Sequence, residues 1–341
     1  MNMNWNHKKA LVTGGCGHIG SFVVRKLIER KAHRIIILDN MSAYPFDQLT
    51  VFCRDIRDLD NIEIIKGDVC DEKLVYEVMK DIDLVFHLAA YADVAATIQN
   101  PDEDFRTNVI GTYNVLKASL DNGVEKFIFA SSAAIYGDKP WKNNEPPRFR
   151  EGMKPNPLST YANSKLWGEN EALLFYKLYG LKTVSLRYFS VYGPMQIPKP
   201  KSHSWVVAIF LMKALKGKPL TVYGGNQVRD FTYVEDIAEA TVRAAEVNGI
   251  EGEAINVGTG SPTRIIDLAY VISDLFRNKL GIKVNIDVLN YRPKGDPLGG
   301  YADITKMIAL LGNVPQVTLR KGLEKTLEWL ISNKCLIPAW I

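Results

Sequence analysis

The sequence predicts an α/β fold, a doubly wound parallel sheet with a smaller α/β unit toward the C-terminus. Three observations predict it. Apolar runs at Ala10-Leu11-Val12 and at residues 35–38, 62–65, 83–88, 126–130 and 183–187 read as buried parallel strands. Stretches of helical apolar spacing alternate with them, which is the order of a doubly wound sheet. A glycine-rich turn stands between the first strand and the first helix.

That turn lies in ALVTGGCGHIG, residues 10–20. Thr13 opens it, Gly14, Gly15, Gly17 and Gly20 follow, and Ile19, Phe22, Val23, Leu27 and Ile28 resume at helical spacing. The glycines serve a tight turn, close backbone approach to a phosphate, and close packing of helix on strand. The helix start, with Gly17, His18 and Ile19, offers unpaired N–H groups and a positive dipole end to a pyrophosphate. A glycine run alone is equally an ordinary turn. Here Asp39 ends the next strand, about 20 residues on, where a dinucleotide fold of the Rossmann type carries an acid. A carboxylate there accepts from a ribose 2′-OH and repels a 2′-phosphate. Asn40, Met41 and Ser42 follow it, with no arginine close by. The expected cofactor is therefore NAD rather than NADP.

Composition bounds the rest. At 341 residues the chain is one large domain or two, and 47% hydrophobic content supplies a sizeable core. A formal charge of +4 with no long basic run argues against nucleic acid or membrane surfaces as partners. The four cysteines, Cys16, Cys53, Cys70 and Cys335, lie far apart in sequence without metal-ligand spacing. Reduced thiols, no metal and a cytoplasmic location are expected. Neither a signal peptide nor a bilayer-spanning run is visible.

Along the chain, residues 40–59 read as a polar, helix-like stretch. Asp68 and Val69 follow the third strand at the ligand edge of the sheet. A helix over 72–80 precedes the fourth strand, which leads into Ala89 and Ala90, small enough for a ribose or diphosphate to lie near the backbone. Residues 101–121 read as one long helix with Pro101 in its first turn. Between Lys139 and Pro157 five prolines break the pattern, so this loop is a lid or a substrate wall. Helices are expected over 161–179, 206–215, 237–247, 265–280 and 319–331, and strands over 220–223 and 254–257. The expected division gives residues 1–188 plus about 230–258 to the dinucleotide-binding domain. About 189–229 plus 259–341 go to a substrate domain.

Tyr161 and Lys165, four apart on a helix, share one face, and Ser131-Ser132 ends the neighbouring strand. A tyrosine with a free pKa of about 10 needs about three units of depression, roughly 4 kcal/mol, to act as a base near neutrality. An adjacent ammonium and a cationic nicotinamide are the expected sources, and a serine hydroxyl can relay the proton. The spacing alone also occurs by chance on many helices.

The chain resembles the extended short-chain dehydrogenase/reductases, and among them the NAD-dependent nucleotide-sugar epimerase/dehydratase group. The resemblance rests on Thr13-Gly14-Gly15-Cys16-Gly17-His18-Ile19-Gly20, Asp68-Val69 and His87-Leu88-Ala89-Ala90. It extends through Asn108 in NVxGT, Ser132, Tyr161 and Lys165 in YxxxK, and Arg187-Tyr188-Phe189 with Tyr192-Gly193-Pro194. Val228-Arg229-Asp230-Phe231 and Arg292-Pro293-Lys294-Gly295-Asp296 complete it. It implies a catalytic set of Ser132, Tyr161 and Lys165. Cofactor contacts are implied at Gly14, Gly17, His18, Ile19, Gly20, Asp39, Asn40, Ser42, Asp68, Val69, Leu88, Ala89, Ala90 and Asn108, with Tyr161 and Lys165. Substrate contacts are implied at Phe189, Ser190, Val222, Tyr223, Arg229, Arg292, Asp296 and Gly300. Ser190 replaces the usual asparagine of this group, one that helps hold the substrate diphosphate. Surface solvation is the plain alternative for Arg229 and Arg292.

Departures from the group narrow the implied reaction. Members that eliminate water carry an acid pair after the catalytic Ser or Thr, and decarboxylating members carry a carboxylate there. This chain has Ala133 and Ala134. Epimerisation remains. In the group's mechanism Tyr161 would take the proton of the sugar 4-OH as C4 gives hydride to NAD. The 4-keto sugar would then turn over and take the hydride back on its other face. Gly300 falls where a bulky residue excludes C2 substituents, so N-acetylhexosamine nucleotides are expected to fit; a simple turn residue is the alternative. Helices 101–121 and 161–179 carry apolar residues beyond one face, and the group pairs such helices in a homodimer; burial within one chain is the alternative. The expected activity is a nucleotide-sugar 4-epimerase, with a UDP-sugar as substrate. A ketoreductase or 2-epimerase on the same residues and a non-catalytic NAD-binding sensor are the rival readings.

Overall fold

Seven strands build one all-parallel sheet: β1 (Lys9–Thr13), β2 (Arg34–Asp39), β3 (Ile62–Lys66), β4 (Leu84–His87), β5 (Lys126–Ser132), β6 (Thr183–Tyr188) and β7 (Ala254–Val257). They stand in the order β3-β2-β1-β4-β5-β6-β7, every neighbouring pair parallel. The chain reverses its direction across the sheet between β1 and β4, and ligands of open α/β sheets bind outside the strand ends at such a point. The computed structural model describes residues 3–44, 47–199, 204–292, 296–312 and 314–341.

Strand alternation divides the core between the two faces. Ala10, Val12, Ile35 and Ile37 point to one side, where Val23 and Leu27 of helix His18–Glu29 and Ile237 of helix Val234–Glu246 cover them. Leu11, Ile36, Leu38 and Val85 point to the other, under Val75, Val115 and Phe175 from helices Glu72–Val78, Thr112–Asp121 and Thr160–Tyr179. Each Val, Leu, Ile or Phe side chain among them, when fully buried, contributes about 1.5–3 kcal/mol. A separate cluster joins Phe210 and Leu211, Leu268 and Phe276, and Leu323 and Leu327, from helices Val206–Leu215, Ile265–Leu280 and Leu319–Ser332.

Several expectations from the sequence take a different form. Among the described residues, the polar stretch over 40–59 is helical only at Gln48–Val51, where Asp47 caps the start by accepting from the Leu49 N–H, and turns follow. The helix expected over 101–121 is α-helical at Pro101–Asp104 and Thr112–Asp121 but π-helical at Phe105–Gly111. Such a widened turn occurs frequently at functional sites. Gly111 packs there so closely that a Cβ would meet the Val69 side chain at 2.5 Å. The proline-rich loop pairs one short strand, Arg148–Phe149, with Tyr301–Ala302. Helix Thr305–Leu311, which the sequence division assigns to the substrate unit, buries Met307 and Leu311 in the same cluster as Ile255 and Val257 of β7.

Candidate functional site

A cavity of about 560 Å³ opens at the C-terminal ends of β1, β2, β4, β5 and β6, within the size range of small-molecule sites. At one end it is lined by Gly14, Gly17, His18, Ile19 and Gly20. Gly14 has φ +71°, a backbone state that favours glycine, and a Cβ on it would stand 2.8 Å from the Ala89 nitrogen. A Cβ on Gly20 would stand 2.1 Å from the Gly14 carbonyl oxygen, so helix His18–Glu29 sits directly on the turn. Its N-cap, Gly17, offers no side-chain acceptor to the first N–H groups.

Asp39, Asn40, Ser42 and Val69 continue this wall, and Leu88, Ala89 and Ala90 face them. The Asp39 carboxylate is aimed by backbone donors, Cys16 N–H at 2.9 Å and Met41 N–H at 2.8 Å. Burial pushes its pKa up, against those two bonds. Burial also pulls His18 down to about 3, so its ring is neutral, and its Nε2 has no hydrogen-bond partner among the described residues. An uncapped helix start, an aimed acid and an unpartnered buried imidazole nitrogen fit a dinucleotide laid along this wall.

In the middle of the cavity β5 and helix Thr160–Tyr179 bring Ser132, Tyr161 and Lys165 together. Ser159 caps that helix by accepting from the Ala162 N–H, which starts it one residue before Tyr161. Ser132 accepts from the Ala134 N–H at 3.1 Å, leaving its own hydroxyl proton to donate. Lys165 Nζ donates to the Ala130 carbonyl at 2.9 Å and lies 6.0 Å from the Tyr161 ring centre. Burial pulls Lys165 down to about 8, with Asp104 acting against that fall. Burial pushes Tyr161 up, a hydrogen bond with Ser132 opposes the rise, and Asp104 adds to it. The expected depression of the tyrosine is thus not produced by the chain's own groups, because desolvation of the phenolate outweighs them. Ala133 and Ala134 line the cavity beside Ser132.

At the far end stand Phe189, Ser190, Tyr223, Arg229, Asp296 and Gly300. Arg229 is paired with Asp296 and also donates to the Pro297 carbonyl at 3.1 Å. Gly300 is held against the proline-rich loop: a Cβ would meet the Pro147 carbonyl oxygen at 2.3 Å and the Phe149 ring at 2.9 Å.

Four residues expected at the site do not line the cavity. Val222 is fully buried in the second cluster, because alternation on strand Leu220–Tyr223 turns its neighbours Thr221 and Tyr223 to the cavity instead. Arg292 reaches Asp138 at 3.7 Å, and Pro293, Lys294 and Gly295 of its motif lie outside the described residues. Asp68 accepts from Asn40 Nδ2 at 3.1 Å, one step behind the wall. Asn108 holds the backbone of Tyr91, accepting its N–H at 2.8 Å and donating to its carbonyl at 3.1 Å.

Sequence reasoning missed three features. Lys199, on the cavity wall, lies 5.5 Å from the centre of the Tyr91 ring; its proline-rich segment carries no periodic signal. Cys16 and Cys53, distant in sequence, are free thiols with Sγ atoms 3.2 Å apart beneath the glycine turn. Asp104 is buried at 3% exposure beside Asn108 and Ser164; only its spacing of four from Asn108 hinted at a contact.

A parallel sheet with a phosphate-binding turn and a lined cavity at its switch point defines a dinucleotide-binding enzyme fold. Residues 10–258 match the family described as NAD dependent epimerase/dehydratase family, and the chain belongs to that family. It is similar to the solved UDP-glucose 4-epimerase of Thermotoga maritima, at 35% identity and TM-score 0.84, over 96% of this chain and 99% of that one. It is similar also to the UDP-N-acetylglucosamine 4-epimerase of Methanobrevibacter ruminantium, solved with UDP-N-acetylmuramic acid, at 33% identity and TM-score 0.84, over 96% and 99%. A curated relative, the UDP-N-acetyl-alpha-D-glucosaminuronate decarboxylase of Bacillus cytotoxicus, is 34% identical over 94% of this chain and 97% of its own.

Proposed function

We propose that this protein is an NAD-dependent nucleotide-sugar 4-epimerase that works on UDP-sugars and admits N-acetylhexosamines. The observation that carries the reading is one cavity in which Ser132, Tyr161 and Lys165 meet the glycine turn while the flanking positions are Ala133 and Ala134. With methyl groups there, no carboxyl group stands next to Ser132 to drive loss of water or carbon dioxide. Relatives that epimerise at C4 and the absence of a net redox partner in that reaction support the same choice.

When bound, NAD supplies the hydride acceptor and donor and a positive ring beside Tyr161. The chain's residues handle the proton. Tyr161 is the base for the sugar 4-OH and returns the proton after the sugar has turned. Ser132, which hydrogen-bonds Tyr161, would meet the same sugar oxygen and relay the proton. Lys165, fixed on the Ala130 carbonyl, holds positive charge behind the phenol. Asp39 orients the adenosine ribose, and the turn with helix start Gly17 holds the pyrophosphate. Asp68 and Asn108 act from behind, by holding Asn40 and the Tyr91 backbone.

Arg229 and Arg292 would meet the substrate diphosphate, Arg229 by exchanging Asp296 for a phosphate oxygen. Phe189, Ser190 and Tyr223 would frame the nucleotide and sugar. Gly300 would border the C2 position as part of the cavity lining, and its contacts with Pro147 and Phe149 leave no room for a side chain there. We read the chain as two units, the sheet with residues 230–258 and a substrate unit built on the second cluster, with helix Thr305–Leu311 on the sheet side. Reduced Cys16 and Cys53 suit a cytoplasmic enzyme, and among the described residues no helix is long and apolar enough to cross a membrane.

The test is NMR of UDP-GlcNAc and of UDP-glucose incubated with the protein. The 4-epimer of each should form with no stoichiometric NADH consumption. Strict rejection of the acetamido sugar would remove the assignment of Gly300, and net NADH consumption would favour the ketoreductase.

A further inference from the structure

Asp104 is a carboxylate nine-tenths and more withdrawn from water, behind the cavity and outside it. Its Oδ1 accepts from Asn108 Nδ2 at 2.5 Å and from Ser164 Oγ at 3.0 Å. Asn108 is the residue that clamps the Tyr91 backbone. Ser164 lies between Tyr161 and Lys165 on helix Thr160–Tyr179, and its hydroxyl also approaches the Tyr161 carbonyl at 3.0 Å. Burial pushes the pKa of Asp104 up, while the Ser164 and Asn108 donors and the Lys165 ammonium oppose that rise, and this one carboxylate ties together the π-helical turn, the cavity wall at Tyr91 and the helix that carries both proton-handling groups.

We infer that Asp104 is a positioning residue of the reaction, whose buried charge sets the protonation of Tyr161 and Lys165 as a pair. The inference rests on the reading of Tyr161 as the base. A negative charge in a dry setting favours an ammonium and disfavours a phenolate. Asp104 acts on both groups in those directions, supporting the Lys165 charge and opposing the Tyr161 phenolate. It keeps Lys165 cationic against the pull of burial while keeping the phenol ready to return its proton. The facing groups leave it this role. Asn108 and Ser164 are neutral donors, and helix Val94–Gln99, packed on the segment that carries Asp104, has as its one titratable group the N-cap carboxylate of Asp93, which is buried and accepts from the Ala95 and Ala96 N–H groups. Tyr161 and Lys165 are the titratable groups of the opposite helix that feel it.

The test is Asp104→Asn, with Asp104→Ser as a smaller neutral variant, read in two ways. In the pH profile of kcat with UDP-GlcNAc, both limbs should move toward acid by about half to one pH unit, with KM unchanged. Ultraviolet difference titration of tyrosinate, each protein against its Tyr161→Phe counterpart, should show Tyr161 ionising at lower pH without any turnover. A lowered kcat with unmoved limbs and an unmoved tyrosinate titration would overturn the inference, as would a shift toward alkali. Failure of both neutral variants to fold would assign the carboxylate to architecture alone and overturn it too. A wild-type protein that epimerises no UDP-sugar would instead remove the reading beneath, while the tyrosinate titration still decides the field of Asp104.

Discussion

At the scale of single residues, the site places its base in a setting that favours the protonated phenol. Burial raises Tyr161 and lowers Lys165, so the protein by itself holds phenol and ammonium close to neutrality rather than phenolate. A base of this kind acts when a further positive charge arrives, which ties proton removal to occupancy of the cofactor wall. Tyr161→Phe removes the group that takes the proton while leaving ring packing and the Ser132 hydroxyl in place. Its kcat should fall by about 10²- to 10⁴-fold. UDP-sugar affinity by calorimetry should stay near that of the wild type. Retention of wild-type turnover would transfer the role of base to another group. The residues themselves were legible in the sequence because YxxxK fixes one helical face. Their charge balance was not, because burial and the distant Asp104 belong to tertiary structure.

At the scale of elements, helices and strands arrive almost where apolar period dictates, and the departures fall where packing overrides it. Strand Leu220–Tyr223 has the expected bounds, yet its register turns Val222 inward and Thr221 and Tyr223 toward the cavity. Which face of a short strand meets the core is set by the partner it packs on, here the helices of the second cluster. The π-helical turn at Phe105–Gly111 is likewise invisible to a 3.6-residue count. The two helical segments that flank the site also leave apolar surface uncovered. Phe105, Ile110 and Tyr113 on one, and Leu174, Leu178 and Tyr179 on the other, are exposed. We propose that they meet their copies in a homodimer, since the two helical segments pack on each other and exposed apolar side chains gathered on such a pair are what an interface covers. Sedimentation should give twice the mass of the 341-residue chain, and Leu178→Lys with Tyr113→Glu should give a folded monomer. A wild-type monomer at micromolar concentration would contradict this.

At the scale of the whole molecule, the sheet, the second cluster and the cavity between their residues have one consequence: the proposed cofactor wall and substrate wall line a single open cavity. The doubly wound order was legible from six apolar runs and one glycine turn, and the seventh strand from Ala254 onward. Contacts between distant segments were not. Arg229 with Asp296, Arg292 with Asp138 and Gly300 against Pro147 are set by how the loops fold back. Sequence spacing holds no record of such meetings. In the proposed reaction the hydrogen taken from the sugar passes to the cofactor and returns to the same sugar, so the reaction is redox-neutral. The most direct measurement is mass spectrometry of the 4-epimer formed from UDP-GlcNAc in D₂O. The account predicts that the carbon-bound hydrogen at C4 returns, so the product carries no deuterium there and the enzyme-bound cofactor ends as NAD. Deuterium at C4, or NADH accumulating in step with product, would contradict it.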